Sequence, residues 1–146
     1  KRSFTPPTPS RQLNYRVGDA IELIGVMKPE SAARNQRLSI TLYWHALATP
    51  LGANKVFVHL IDESGQPLAQ RDQAPLGGSR ETDGWVSGEY LIDTHELDLP
   101  PDLPVGNYQI AVGMYDPTTG VRLVAIGPDG RVPEDRILVG TVRIDR

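Results

Sequence analysis

Three histidines, His45, His59 and His95, are the residues of this chain best suited to hold a metal ion or to transfer a proton. Three imidazoles and a water form a coordination set for catalytic zinc. The spacing lacks the pairs at i and i+2 or i+4 that are typical of zinc motifs, and the histidines fall in three different predicted strands. A small hydrolase or metal-site enzyme therefore stays only an alternative hypothesis, and we expect neither a metal nor another cofactor.

Other motifs of catalysis and ion binding are incomplete. The acidic residues do not follow the calcium-loop pattern of alternating carboxylates with a central glycine. The segment 76–80, Leu-Gly-Gly-Ser-Arg, lacks the Gly-Lys-Ser/Thr ending of a phosphate loop and is followed by no predicted helix. No Gly-x-Ser-x-Gly occurs. We therefore expect no catalytic residue and no enzymatic activity in this chain.

Aromatic side chains on the surface are the remaining candidates, because a flat ring with a polar edge suits both sugars and protein partners. Trp85 lies in the segment 77–88, the longest stretch without a strand pattern, and Tyr43 and Tyr90 are expected to point outward or lie in loops. The sequence predicts a ligand surface of Trp85 with Tyr90 or Tyr43, and carbohydrate or another protein domain as its partner. The alternative is that Trp85 covers one end of the hydrophobic core.

The elements that position these residues are predicted to be β-strands. Runs 38–45 and 56–61 alternate apolar and other side chains, which indicates extended chain with one buried face. Segment 30–37 has room for one helical turn at most. With ends uncertain by roughly 2 to 4 residues, the predicted strands are 20–27, 37–45, 55–62, 67–73, 89–97, 107–115, 121–126 and 136–144.

Turn signals separate these strands. Glycine (14 residues) and proline (13 residues) lie mainly between the apolar runs, and 63–66, 116–120 and 128–130 resemble hairpin turns. The sequence therefore predicts an all-β fold, an antiparallel immunoglobulin-like β-sandwich of about eight strands.

Alternation along the strands also predicts which side chains form the core. Ser39, Thr41, Tyr43, Gln109 and Ala111 are expected to face away from it. The residues predicted to point inward are Leu23, Leu38, Ile40, Leu42, Trp44, Val56, Val58, Leu60, Tyr108, Ile110, Val112 and Met114.

Composition limits the domain organisation and the partners. The 146 residues suit one domain, and the prolines near the start predict a linker over 1–11 followed by a single β-sandwich domain over 12–146. With 15 basic and 18 acidic residues the net charge is −3, which argues against nucleic acid. The first residues lack the apolar core of a signal peptide, and without an initiator methionine the chain is expected to be part of a longer protein. The absence of cysteine excludes disulfides.

Several motifs within about residues 17 to 125 resemble a known family. They are Leu-Tyr-Trp-His-Ala-Leu at 42–47, Val-Phe-Val-His-Leu-Ile-Asp at 56–62, Gly-Gln-Pro at 65–67, Ala-Gln-Arg-Asp at 69–72, Trp-Val-Ser-Gly-Glu at 85–89, Leu-Pro-Pro-Asp-Leu-Pro-Val-Gly-Asn-Tyr at 99–108 and Val-Gly-Met-Tyr-Asp at 112–116. This succession resembles the β-sandwich domain at the C-terminal end of some bacterial multi-spanning membrane proteins of the glycosyltransferase type.

The resemblance implies a context for the chain. It points to a non-catalytic accessory or interaction domain outside the cytoplasmic membrane, periplasmic or at the cell surface. Any catalysis would reside in a membrane-embedded portion that is absent from this chain. The shared motifs are structural, so no functional residue is carried over, and a carbohydrate-binding module remains the alternative function.

Overall fold

The fold is a β-sandwich, as the sequence predicts. The computed structural model describes residues 2–146, which form eleven strands, three short 3-10 turns and no α-helix. The strands are β1 (Arg11–Val17), β2 (Ile21–Met27), β3 (Ser31–Ala33), β4 (Arg37–Ala46), β5 (Lys55–Ile61), β6 (Pro67–Gln73), β7 (Tyr90–Asp98), β8 (Gly106–Tyr115), β9 (Ala125–Gly127), β10 (Gly130–Arg131) and β11 (Ile137–Asp145). None of the described residues form a helix long and apolar enough to cross a membrane.

The strands form two sheets. The six-stranded sheet has the order β10-β9-β1-β2-β4-β7, and the five-stranded sheet has the order β3-β11-β8-β5-β6. Neighbouring strands are antiparallel except β3 and β11, which are parallel. The two inner faces, with alternating apolar side chains, enclose one hydrophobic core.

Short or weakly patterned strands are where the sequence prediction is wrong. Strand β1 was not predicted: Leu13, Tyr15 and Val17 alternate with polar residues, but only Val17 is fully buried, and the run has just three apolar positions. Strand β3 replaces the helical turn considered for 30–37. The segment 121–126 forms one bridge, between Arg122 and Tyr115, and then leaves that sheet so that β9 can pair with β1.

The predicted core is confirmed, since every side chain expected to point inward is buried. The two tryptophan rings lie close together in this core, Trp44 at 6.5 Å from Trp85 between ring centroids. Ser39 and Gln109, which were expected to face away from the core, are exposed, whereas Thr41 and Ala111, for which the expectation was the same, are buried. Tyr43, also expected to be outward, is only 8% exposed, so a further layer must cover that face of the sheet.

That layer is the segment Arg2–Ser10, which we call the N-terminal strap. The backbone carbonyl of Ser3 accepts a hydrogen bond of 2.8 Å from the Tyr90 N–H. At the other end Pro9 lies so close to Gly25 that a Cβ built there would be 2.3 Å from the proline Cγ. Gly25 and β7 flank Tyr43 in adjacent strands, so the strap crosses β4 and accounts for the burial of Tyr43. The proline-rich stretch predicted as a linker is therefore packed on the sandwich.

We expect Trp44→Ala to lower the free energy of unfolding by about 3 to 5 kcal/mol, because a fully buried ring is removed and a cavity remains. Urea denaturation measures this. Val121→Ala, at a side chain that is 64% exposed, is the control and should change stability by less than about 0.5 kcal/mol. A loss below about 1 kcal/mol for Trp44→Ala would contradict the assignment of its ring to the core.

Candidate functional site

Trp85 does not form a ligand surface, which corrects the sequence prediction. Its side chain is fully buried, its ring packs near that of Trp44, and its indole N–H donates a hydrogen bond of 2.9 Å to the Arg80 carbonyl. A buried indole usually finds such a polar partner. Trp85 therefore covers one end of the core, which was the alternative reading of this residue.

The two tyrosines do not form a binding platform with it either. Tyr43 is buried next to Gly25, on the face crossed by the N-terminal strap. Tyr90 is half-buried, and its ring stacks on His45 with centroids 4.3 Å apart and planes 10° from parallel. Since His45 Nδ1 also lies 2.8 Å from Glu22 Oε1, Tyr90 is already engaged within the protein. The predicted surface of Trp85, Tyr90 and Tyr43 is therefore not assembled.

The loop that carries Trp85 is held by polar contacts to neighbouring elements. The hydroxyl of Thr82, which is fully buried, donates to the Gly52 carbonyl at 2.7 Å and accepts from the Asn54 N–H at 2.9 Å. Leu76 N–H donates to Asp93 Oδ1 at 2.8 Å. These contacts tie the segment 74–89 to the β4–β5 connection and to β7, so it is a packed part of the sandwich and not a free loop.

Glu89 is the main electrostatic feature of this segment. Its carboxylate is fully buried and accepts hydrogen bonds from Arg2 (2.8 Å), from Arg80 and from the Val86 N–H (3.1 Å). Burial acts to raise the pKa of Glu89, but the bonds from Arg80, Val86 and Arg2 outweigh it and hold the pKa below its usual value. An arginine of the strap and an arginine of the loop thus stabilise one buried anion.

A second buried polar cluster lies between the sheets. Asp93 Oδ2 accepts from the Trp44 indole N–H at 3.1 Å and lies 2.6 Å from His95 Nε2. Both Asp93 and His95 are almost completely inaccessible to solvent. His95 Nδ1 has no hydrogen-bond partner within residues 2–146. Because no substrate could reach this pair without opening the core, the cluster is structural.

The third histidine lies on a different surface. His59 points outward from β5, where its Nε2 is 3.8 Å from Asp72 Oδ1 and its ring is 5.0 Å from that of Phe57. Burial lowers the pKa of His59, an effect that the Asp72 carboxylate partly opposes. With His45 on the outer face of one sheet, His95 in the core and His59 on the outer face of the other, the histidines do not converge. Residues 2–146 contain no group of three side chains arranged for a metal ion.

The outer face of the five-stranded sheet carries a hollow that sequence reasoning missed. This sheet groove has a volume of about 480 Å³ and is lined by Ile61, Asp62, Glu63, Ser64, Gly65, Asn107, Tyr108, Gln109, Arg136, Leu138 and Thr141. The turn after β5 forms one wall, and outward-facing residues of β8 and β11 form the floor. The sequence predicted only that Gln109 faces outward. It did not indicate which strands lie beside β8, so the groove could not be recognised.

Asp62 shapes the wall of the sheet groove. Its Oδ1 accepts hydrogen bonds from the Ser64 hydroxyl (2.7 Å), the Ser64 N–H (2.9 Å) and the Gln66 N–H (2.9 Å). The Ser64 hydroxyl and the Gln66 N–H contribute most to holding the pKa of Asp62 below its usual value. Three hydrogen bonds thus join Asp62 Oδ1 to the turn. The other oxygen, Oδ2, accepts no hydrogen bond from the described part of the chain.

The fold is similar to that of a known domain. A crystal structure of the C-terminal domain of Wzt aligns with a TM-score of 0.62 and 15% sequence identity, covering 95% of this chain and 83% of that domain. A Niemann-Pick type C2 protein from the Japanese carpenter ant aligns over 97% of this chain and 100% of that one, with 6% identity. Its TM-score of 0.45 indicates only a weak structural similarity. No family model matches the chain, and no curated protein is significantly similar to it. The Wzt similarity shows a shared β-sandwich fold.

We expect Glu89→Gln to lower the stability of the protein at pH 7 by about 1 to 3 kcal/mol, because two arginines lose their buried anion. The folded pKa lies below the unfolded value of about 4.3, so this stabilisation is present above the unfolded value and is lost as the pH falls through the folded value. Urea denaturation from pH 7 to pH 3 should therefore show the gap between wild type and variant closing in acid.

The exposed Arg37–Asp98 pair, at 3.0 Å, supplies the control for this measurement. Asp98→Asn should change stability by at most about 1 kcal/mol at any pH in the range. An equal effect of the two substitutions would show that burial of Glu89 adds nothing to its ion pairs.

Thermal melts with and without a strong chelator should coincide, because the three histidines lie in separate places and residues 2–146 bring no three His, Asp or Glu side chains together for a metal ion. Differential scanning calorimetry after dialysis against EDTA makes the comparison. A drop in melting temperature that added zinc or calcium reverses would show that a metal contributes to the fold.

Proposed function

We propose that the chain is a non-catalytic accessory or interaction domain of a larger, membrane-anchored bacterial protein related to glycosyltransferases. The observation that carries the proposal is the use of the candidate catalytic groups in structural contacts. The Asp93–His95 pair is buried in the core, Glu89 lies between two arginines, and His45 is engaged with Glu22 and Tyr90. Within residues 2–146 these groups do not form a nucleophile and base beside a substrate cavity.

The context of the domain rests on the resemblance of its motifs to the C-terminal β-sandwich of multi-spanning glycosyltransferase-type proteins. The similarity to the Wzt C-terminal domain supports the β-sandwich fold that this resemblance implies. We place the domain outside the cytoplasmic membrane, with any catalysis in the membrane portion of the parent protein.

A carbohydrate-binding module is the second candidate, and the sheet groove favours it. The groove exposes side-chain amides and a hydroxyl on a rigid sheet, which are groups that bind sugars through hydrogen bonds. The exposed aromatic row that would have supported this function is absent from the described residues, so the groove takes its place as the candidate surface.

Deleting the domain from the parent protein tests the main proposal. We expect the parent to stay in the membrane fraction and to keep its basal transferase activity on a minimal acceptor, while the isolated domain has none. Protease added to spheroplasts should digest the domain, and protease added to inverted membrane vesicles should not. Transferase activity in the isolated domain, or protection of the domain in spheroplasts, would contradict the proposal.

A further inference from the structure

We propose that the sheet groove binds a neutral, polyhydroxylated chain, that is, an oligosaccharide, through Asn107, Gln109 and Thr141. This inference rests on the proposed function, because it names the ligand class of an interaction domain. It assigns binding to the five-stranded sheet and not to the aromatic residues of the loop 74–89.

The polar side chains of the floor are free to bind. Asn107, Gln109 and Thr141 are exposed, and their side chains make no hydrogen bond within residues 2–146. Gln109 pairs in register with Thr141 on β11 and with Ile61 on β5. Gln109 and Thr141 therefore lie side by side on adjacent strands about 5 Å apart, and Asn107 lies about 7 Å from Gln109 along β8, so the two amides and the hydroxyl form one polar row.

The chemistry of this row fits hydroxyl groups. Each amide offers two donors and an acceptor, and the threonine hydroxyl both donates and accepts. A sugar hydroxyl also donates and accepts, so adjacent hydroxyls of one ring can be bound from the same sheet surface. Leu138 is 44% exposed beside the row, and it provides apolar surface for the C–H face of a ring.

Charge around the groove disfavours anionic ligands. Asp62 and Glu63 both line it, and the low pKa of Asp62 keeps that residue negative. Arg136 is the cation in the lining, but it donates to the Gly65 carbonyl at 3.1 Å and lies 3.8 Å from Glu134. A phosphate or nucleic acid would therefore meet two carboxylates and an arginine that is already engaged, whereas the free Oδ2 of Asp62 can accept a bond from a hydroxyl.

The lining also disfavours a protein partner at this position. Protein interfaces are usually centred on large apolar or aromatic anchors that enter matching pockets. The floor of the groove is instead a row of amides and a hydroxyl, and its tyrosine, Tyr108, is 7% exposed and donates its hydroxyl to the Pro104 carbonyl. The volume of about 480 Å³ falls within the range of small-ligand sites.

Titration of the whole chain with cellotetraose, mannotetraose and the tetramer of N-acetylglucosamine, followed by ¹⁵N NMR, tests the proposal. We expect at least one of them to shift the side-chain amide signals of Asn107 and Gln109 in a saturable manner. The double variant Asn107→Ala with Gln109→Ala should weaken that binding roughly three- to tenfold for each hydrogen bond lost, with no change in melting temperature because both side chains are exposed.

Gln70→Ala is the matched control. Gln70 is an exposed amide opposite His59 on the same sheet, but it lies outside the groove, so its removal should leave the affinity unchanged. Saturable binding that shifts other residues and is insensitive to the double variant would overturn the groove and leave the interaction function standing. If no sugar gives a saturable shift up to millimolar concentration, the proposed ligand class is wrong. The proposed function is tested separately, by the deletion and protease experiments above.

Discussion

The carboxylate of Asp93, buried between the two sheets, is the group on which the arrangement of the core depends. It accepts hydrogen bonds from the Trp44 indole N–H on β4 and from the Leu76 N–H of the segment 74–89, and it contacts His95 on its own strand. A buried carboxylate is costly unless such partners satisfy it. A shift of β7 by one residue would place Asp93 in solvent and its neighbour Ile92 in the core, so this cluster restricts the pairing of the edge strand and the position of the loop beside it.

The two outer faces of the sandwich differ, and this difference decides where a partner can bind. The N-terminal strap crosses the six-stranded sheet and buries Tyr43, and Pro9 occupies the space that a side chain at position 25 would need. On the five-stranded sheet, Phe57 is covered by Arg122, whose guanidinium lies 4.3 Å from the ring centroid. The part of that sheet around Gln109 has no such cover. The open surface is therefore polar and lies on the opposite side of the molecule from the strap.

The sequence predicts the core well because burial on one face imposes a period of two, as it does from Leu38 to Trp44. It predicts Trp85 poorly, since no periodicity distinguishes a loop residue that covers the core from one that faces solvent. The sheet groove depends on Thr141 lying beside Gln109. That adjacency arises from pairing between distant strands, which local patterns do not encode. For the same reason the carboxylate of Glu89 gave no indication that an arginine near the start of the chain would reach it.

The contact between Arg2 and Glu89 spans 87 positions of sequence. Because closing a long loop is entropically unfavourable before other contacts form, the strap cannot nucleate folding and must dock after β2, β4 and β7 are side by side. Its docking then acts as the closing step of assembly: Arg2 is synthesised well before Glu89 and stays without its partner until that residue and the strand after it have been synthesised. In the interval Gly25 and Tyr43 lack their cover, so the six-stranded sheet exposes an aromatic side chain that the folded domain buries.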